Sequence, residues 1–419
     1  MKRIFVISWF YPPINSSEGL VTFKLINNSK YKYDVFTQNN FHDWTYGSTV
    51  DYKNNKNINV IFSKSNSLKE WVEDAYQYFV KNKDKYDYIM TRAMPQESHL
   101  VGLRIKKDFP NIKWLASFGD PILHNPYHYI NCSLYSLHSL KNPINKSRRK
   151  LYKLSPKRFL YNRAWEYRHR FAIKLRKELK QIQLETLKYA DKIILNNESQ
   201  KTYMLGDNKK YLDKCHIIRH SYDSSFYPKK NNKPHDKIRF VFVGHLDEIR
   251  NVDSLFCAIN ELNKSVNDLS KKAEFVFYGD MSTQNKVYII DNQLTDIIKV
   301  EKPISYQESL NEMVNADWLI HTDGNISSIV DENIFFAAKI VDYFGSGTNI
   351  LATTMQFGDV VDVLRQSNSL VLSYSCNEIK NWLYLIIYKN FKQELNMDYI
   401  KQFDAINVAK KFDTEVIGE

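Results

Sequence analysis

The sequence predicts an α/β protein of two Rossmann-like domains, each with a parallel sheet and a ligand cleft at its strands' carboxyl ends. Three observations predict it. Short runs of branched and aromatic residues recur along the chain and alternate with helical stretches, the order of repeated βαβ units. The chain opens on such a unit: a strand at Lys2 to Ser8, a polar loop bearing Pro12 and Pro13, and a helix entered at Gly19. The same order restarts at Arg239 to Val243, after a hydrophilic stretch at Lys229 to Asp236 that reads as the domain boundary.

A chain of 419 residues has room for two or three ordinary domains, and its apolar and aromatic content suits packed cores, which excludes a disordered chain. The start, MKRIFVISWFYPP, has an apolar run too short for a signal-peptide core and cut by two prolines, so it reads as the first strand. No apolar stretch approaches the length of a membrane span. Cys132, Cys215, Cys257 and Cys376 lie far apart, form no metal-binding spacing and suit a reducing cytoplasm. The expected location is cytoplasmic.

In residues 1–229, Ser16 or Ser17 offers an N-cap to the helix running from Gly19 to about Asn28. Tyr33 to Thr37 is a second strand, Asn39 to Asn59 is polar and loop-like, and Val60 to Ser63 is a short strand. A helix over Ser67 to Lys81 precedes a strand at Tyr86 to Thr91. The stretch TRAMPQESHLVGLRIKKDFPNIKWLASFGDPILHNPY gives a helix, a turn at Pro110, a strand at Trp114 to Ser117 and a loop. Asp120 follows that strand's end, where ligands meet open parallel sheets, and is a candidate functional residue. His99, near the helix start, suits either a functional role or a capping and packing one. Ala190 to Asn197 holds the last strand of this domain, Glu198 to Met204 a helix, and Cys215 to His220 a further short strand.

Residues 133–189 form a basic, aromatic insertion, read as helical from Arg163 to Lys188. From Lys141 to Lys180 there are 15 Lys and Arg against two acids, so the rest of the chain is nearly neutral and the net charge of +12 resides here. Charge so concentrated repels itself unless an anion meets it. Arg148, Arg149, Lys150, Arg158, Trp165, Arg168 and Arg170 are candidate contacts to an anionic membrane surface or a membrane-borne acceptor. The same composition holds nucleic-acid phosphates, but no nucleic-acid-binding motif accompanies it, so nucleic acid is not the expected partner.

In residues 237–396, a helix over Val252 to Val266 follows the loop GHLDEIRN. Strands are read at Glu274 to Tyr278 and Ile298 to Glu301, and a helix at Tyr306 to Asn315 leads to a strand at Trp318 to His321. Asp323 ends that strand facing the cleft. A polar loop, Asp323 to Asn333, then enters a helix over Phe335 to Tyr343, which Gly345, Ser346 and Gly347 stop before a strand at Asn349 to Ala352. The free amides of that helix's first turn suit a diphosphate, Lys339 adds positive charge, and Asp342 one turn further suits ribose hydroxyls. On pattern alone the same stretch also describes an amphipathic crossover helix with solvated Lys and Asp. Lys380 to Phe391 is helical, and residues 397–419 hold a last helix.

FFAAKIVDYFGSGTNILA resembles the nucleotide-sugar segment of family 4 glycosyltransferases, enzymes of the GT-B fold. The resemblance implies that Asp342 holds the ribose and that the amides of Phe336, Ala337, Ala338 and Lys339 meet the donor diphosphate. The family's first acid falls on Ile334, a departure; Glu332, two residues earlier, is a candidate replacement. YPPINSSEGLVTFKL resembles the family's first loop, which implies that Gly19 lies close to the donor phosphates and acceptor. GHLDEIRN resembles the segment that grips the diphosphate, implying roles for Gly244, His245 and Arg250; a surface salt bridge to Glu248 or Asp253 is the other reading of Arg250. Ser98, His99, Asp120 and Pro121 resemble a subgroup's Ser-His and Asp-Pro pairs, with Gly119 where many members carry His.

The resemblance implies a transferase, of the hexosyl or N-acetylhexosaminyl class, that moves a sugar from a nucleotide sugar such as a UDP-sugar to a lipid-linked or glycan acceptor in surface polysaccharide synthesis, with retention. Asp120 and His99 would orient or deprotonate the acceptor, while Arg250 and Lys339 would stabilise the leaving diphosphate. No Asp-x-Asp triplet occurs, so no metal cofactor is expected. Tyr399 to Phe412 would cross back onto the first domain, and the enzyme would dock on the inner face of the cell membrane. Two alternatives share the architecture: a sugar-nucleotide epimerase, and a non-catalytic binding or scaffold protein.

Overall fold

The computed structural model describes residues 1–39, 54–65, 67–123, 125–126, 177–231, 236–246, 250 and 252–418. Arg148, Arg149, Lys150, Arg158, Trp165, Arg168 and Arg170 lie outside the described residues.

Two all-parallel sheets organise the molecule. The first has strands β1 (Arg3–Ile7), β2 (Lys32–Thr37), β3 (Ile58–Phe62), β4 (Tyr88–Arg92), β5 (Lys113–Ser117), β6 (Lys192–Leu195) and β7 (Cys215–Ile217), in spatial order β3-β2-β1-β4-β5-β6-β7. The second has β8 (Ile238–Val243), β9 (Ala273–Tyr278), β10 (Ile298–Glu301), β11 (Trp318–Thr322), β12 (Asn349–Thr353) and β13 (Leu370–Leu372), in order β10-β9-β8-β11-β12-β13. Val6 is in register with Val35 on one side and Met90 on the other. Strand order reverses beside β1 in one sheet and beside β8 in the other, and such reversals open crevices at the strands' carboxyl ends.

Alternation along β1 explains why the strand is apolar throughout. Phe5 and Ile7 point into a core with Trp71, Phe79 and Trp114, whereas Ile4 and Val6 point into a second core with Tyr33, Met90 and Ile194. The helices covering these faces include α1 (Ser17–Asn27), α2 (Leu68–Asn82) and α3 (Glu97–Asp108), and α4 (Glu198–Leu205) follows β6. In the second domain they include α5 (Asp253–Ser265), α6 (Tyr306–Asn315), α7 (Ala338–Ser346), α8 (Asp359–Gln366) and α9 (Cys376–Tyr388). A last helix, α10 (Ala405–Phe412), returns to the first domain: Val408, Ala409, Phe412, Val416 and Ile417 share the core of Ile4, Val6 and Met90. Asp413 fixes it there, accepting from Ser29 Oγ at 2.6 Å and Lys30 N at 2.9 Å.

Several elements depart from the sequence expectation. β3 begins at Ile58, inside the stretch read as loop, because pairing with β2 from Tyr33↔Ile58 onward decides an edge strand more than its own hydrophobicity does. α7 begins three residues later than expected. Asn333 Oδ1 takes the Phe335 amide at 3.0 Å, and that local turn competes with the helix start. The helix also runs on through Gly345 and Ser346 to Gly347, whose φ of 68° ends it. Within the helix, position 345 is glycine because the rings of Tyr222 and Tyr227 occupy the space a Cβ would need. The cysteine expectation is corrected for two of the four: Cys257 on α5 and Cys376 at the start of α9 are joined, with Cα atoms 5.8 Å apart. Their 119-residue separation hid helix packing that no local spacing encodes. Cys215 is a free thiol, and Cys132 lies outside the described residues.

Candidate functional site

Loops from both domains enclose a cavity of about 360 Å³. The β1–α1 loop supplies Phe10, Asn15, Ser16 and Ser17; the loops after β8, β9 and β10 supply Val243, Gly244, His245, Tyr278, Gly279, Asp280, Pro303 and Ile304. Gly19, just behind that wall, is buried, and a Cβ there would stand 3.1 Å from the Tyr11 backbone, so glycine lets α1 start tight against the loop. Gly244 and Gly279 have φ of 129° and 138°, and a side chain on Gly279 would overlap the Gly244 carbonyl. The β8 and β9 loops therefore touch backbone to backbone.

Lys339, in the first turn of α7, points back at this loop pair. Its Nζ lies 3.9 Å from the Phe242 ring centroid and 2.7 Å from where a Cβ on Gly244 would be. Burial, reinforced by the nearby Arg250 charge, lowers its ammonium to about 7, against the pull of Asp323 and Asp342. Ala337 is the helix N-cap and provides no side-chain cap, leaving the first-turn amides to an external acceptor. Phe336 is buried, its ring 6.2 Å from those of Phe403 and His220, so only its backbone is available. His245 is exposed, with Nδ1 3.9 Å from Asp280 Oδ2.

Arg250 joins the two walls electrostatically. It acts on Lys339 and Asp323 in its own domain and on Asp120 in the other. Asp120 is pushed up to about 6 by burial and by the Glu18 carboxylate, with Arg250 and Arg92 opposing. Asp323 is buried and accepts from Asn333 Nδ2 and Thr354 Oγ1, both at 2.9 Å. Burial works to raise its carboxyl, but His321, Thr354 and Arg250 outweigh that and hold it below the usual range.

Asp342 lies buried one turn into α7. Its Oδ1 accepts from Lys24 Nζ of α1 at 2.5 Å and from the Tyr306 hydroxyl at 2.8 Å. Lys24 is 1% exposed, and its Nζ also lies 5.2 Å from the Tyr306 ring centroid. Sequence reasoning missed both partners. The signal for Lys24 was present: α1 is apolar on all sides, Leu20, Val21, Phe23, Leu25 and Ile26 all being buried, so a lysine among them has to be buried and paired.

His99 is 0% exposed, with its ring 4.4 Å from that of Phe118 and its Nδ1 2.7 Å from Thr91 Oγ1. Burial and Arg92 lower it to about 3. The packing role left open by the sequence is the one its position shows. Ile334 is buried with Ile326, Phe335 and Met355, so the place of the resembled family's first acid is apolar. Glu332 is engaged across the domain seam, accepting from Ser199 Oγ at 2.7 Å. The same seam holds Asn197 to the Ile334 carbonyl at 3.1 Å and Arg219 to both oxygens of Asp359 at 2.6 and 2.7 Å. The space beside Asp120, where the resemblance pointed to a histidine, is filled over Gly119 by the Glu18 carboxylate.

No family model matches the chain, and no curated protein matches it in sequence. Among solved structures its fold is similar to sucrose-phosphate synthase from Thermosynechococcus elongatus, at TM-score 0.66 and 12% identity over 98% of this chain and 97% of that one. It is also similar to the apo lipopolysaccharide outer core galactosyltransferase WaaB, at 0.58 and 12% over 99% of each chain. The UDP-GlcNAc 2-epimerase of Methanocaldococcus jannaschii matches at 0.54 and 10% over 98% of each. At such identities the likeness is one of fold: two facing Rossmann-like domains, the GT-B architecture.

Proposed function

We propose that this chain is a glycosyltransferase that moves a sugar from a nucleotide-sugar donor on its second domain to an acceptor hydroxyl on its first. One observation carries the proposal: the positive charges of Arg250 and Lys339 and the uncapped start of α7 gather at the cleft, and Arg250 reaches electrostatically to Asp120 on the opposite wall.

In this reaction the acceptor oxygen bonds to the anomeric carbon as the bond from that carbon to the diphosphate oxygen breaks. Asp120 takes the hydroxyl proton, and the diphosphate leaves with the bonding electrons. Arg250, Lys339 and the amides of Ala338 and Lys339 face the charge that develops, and a low-dielectric cleft strengthens them. Asp342 holds the ribose through Oδ2 while Oδ1 stays with Lys24 and Tyr306. The nucleoside lies against Gly244, Gly279 and Ile304. Retention, a UDP donor and a hexosyl or N-acetylhexosaminyl group remain the finer form of the proposal. So do a lipid-linked or membrane-borne acceptor and docking through the basic insertion on an anionic membrane. These rest on sequence resemblance and charge distribution.

A thermal-shift panel of nucleotide sugars tests the donor site, since a ligand of the native state raises the melting temperature. Assays with Arg250→Ala and Asp342→Ala then test its use. Full transfer by both folded variants sinks the proposal, and a free sugar epimer released without any acceptor points instead to an epimerase.

A further inference from the structure

The first-domain wall of the cleft has its own construction around two carboxylates, Glu18 and Asp120, and the Arg92 guanidinium. Arg92 ends β4 and Glu18 lies in the first turn of α1. Arg92 Nε donates to Glu18 Oε2 at 2.9 Å, and Nη1 donates to Ser117 Oγ at 3.0 Å. Arg92 Nη2 lies 2.9 Å from the same Oε2 but off the hydrogen-bonding direction, so this buried donor lacks an acceptor. Beneath the pair runs the turn at Gly119 and Asp120. Its Gly119 carbonyl accepts from Asn196 Nδ2 at 3.0 Å and Gln200 Nε2 at 3.2 Å, which fixes the backbone. A Cβ on residue 119 would stand 2.9 Å from Glu18 Oε1 and 3.3 Å from Arg92 Nη2. Carboxylate and guanidinium therefore lean over bare backbone, with Asp120 the next residue. The Glu18 side chain is 23% exposed and follows directly on Ser16 and Ser17 of the cleft wall.

Resting on the transfer reading above, we infer that Glu18, Arg92 and Asp120 form the acceptor seat, and that it takes a neutral sugar presenting adjacent hydroxyls rather than a sugar phosphate. A hydroxyl needs an acceptor for its proton and welcomes a donor to its oxygen. Glu18 and Asp120 supply one acceptor each, and Arg92 Nη2, ion-paired with Glu18 but making no hydrogen bond, supplies the donor. The charge sum excludes a phosphate. Arg250, the other cation that acts on Asp120, faces the donor diphosphate in the transfer reading. At the seat, one guanidinium, with Nε–H on Glu18 and one Nη1–H on Ser117, therefore stands against two carboxylates, and a phosphate dianion meets net like charge. Glu18 binds and positions the acceptor, and Asp120 receives its proton.

The full chain is assayed for UDP release from a nucleotide sugar that raises its melting temperature, with octyl glucoside, octyl galactoside, octyl N-acetylglucosaminide, glucose 6-phosphate or fructose 6-phosphate as acceptor. An octyl glycoside is expected to accelerate release at least about tenfold over water and the sugar phosphates less than about twofold. Glu18→Gln, which keeps the side chain's shape, is expected to cut the preference for glycoside over phosphate about tenfold, while the Kd of UDP stays within about twofold. Sugar phosphates used as well as glycosides, no glycoside better than water, or an unchanged preference in Glu18→Gln each overturn the inference. The wild-type preference needs no variant, so it stands as a test even if Glu18→Gln does not fold. A wild-type chain that binds neither UDP nor any nucleotide sugar brings down the transfer reading itself; one that binds UDP but fails the acceptor tests brings down only this seat.

Discussion

Lys24 of the first domain and Asp342 of the second are 318 residues apart in sequence and 2.5 Å apart in space, both buried. The pair bridges the two domains at the residue expected to hold the donor's ribose. Removing one member of a buried pair leaves a charge without its partner, which costs more than the pair was worth. Lys24→Met is therefore expected to lose about 3 kcal/mol of stability, and the double variant with Asp342→Asn to recover most of that loss. Denaturant unfolding of the two singles and the double checks it; equal loss in Lys24→Met and in the double refutes the coupling.

The acid and the ammonium predict a bell-shaped pH profile for kcat/KM. Asp120, near 6 under the influence of Glu18, Arg250 and Arg92, acts deprotonated, so activity rises as pH climbs through its titration. Lys339, near 7 beside Arg250, Asp323 and Asp342, acts protonated, so activity falls as pH climbs through its own. The optimum is expected between the two, and Glu18→Gln is expected to shift the ascending limb to lower pH. A flat profile across this range contradicts the roles assigned.

Anion binding should recharge Lys339. At pH 8 the free site holds Lys339 mostly neutral, and a diphosphate favours the ammonium, so UDP binding is expected to take up close to one proton. Calorimetry in buffers of different ionisation enthalpy measures it. Lys339→Met should bind UDP more weakly and take up none.

Loss of the charges facing the leaving group should appear in kcat. Arg250→Ala and Lys339→Ala are each expected to lower kcat by about 10²-fold or more, with smaller changes in donor KM. Equal loss in KM alone would mean that these cations bind ground state and transition state alike.

Gly244→Ala meets two obstacles, a φ of 129° and the Lys339 ammonium 2.7 Å from the new Cβ. It is expected to cost about 1–3 kcal/mol and to weaken UDP binding, checked by melting and calorimetry.

The sheets were legible because repeated apolar runs carry the period of a buried strand. The β11–loop–α7–β12 order was legible because Gly347 punctuates it. Helix α8 and strand β13 were not, since eight and three residues offer too few repeats to stand out. Within the candidate site, strand ends and helix starts pointed to Asp120, Lys339 and Asp342, and the family resemblance pointed to Arg250. Glu18 and Arg92 were missed because their importance lies in partners that only the tertiary fold supplies, whereas the apolar surroundings of Lys24 on α1 were there to be read and only its partners were not. His99 shows the converse: a residue type suited to chemistry that the fold buries as a packing group.

The return of α10 to the first domain has a consequence for synthesis. Ile4, Val6 and Met90 emerge from the ribosome early, yet Val408, Phe412 and Ile417, which cover them, are translated only after the whole second domain. The nascent chain therefore carries a sheet face that α1, through Phe23, Leu25 and Ile26, covers only in part until the later half is made.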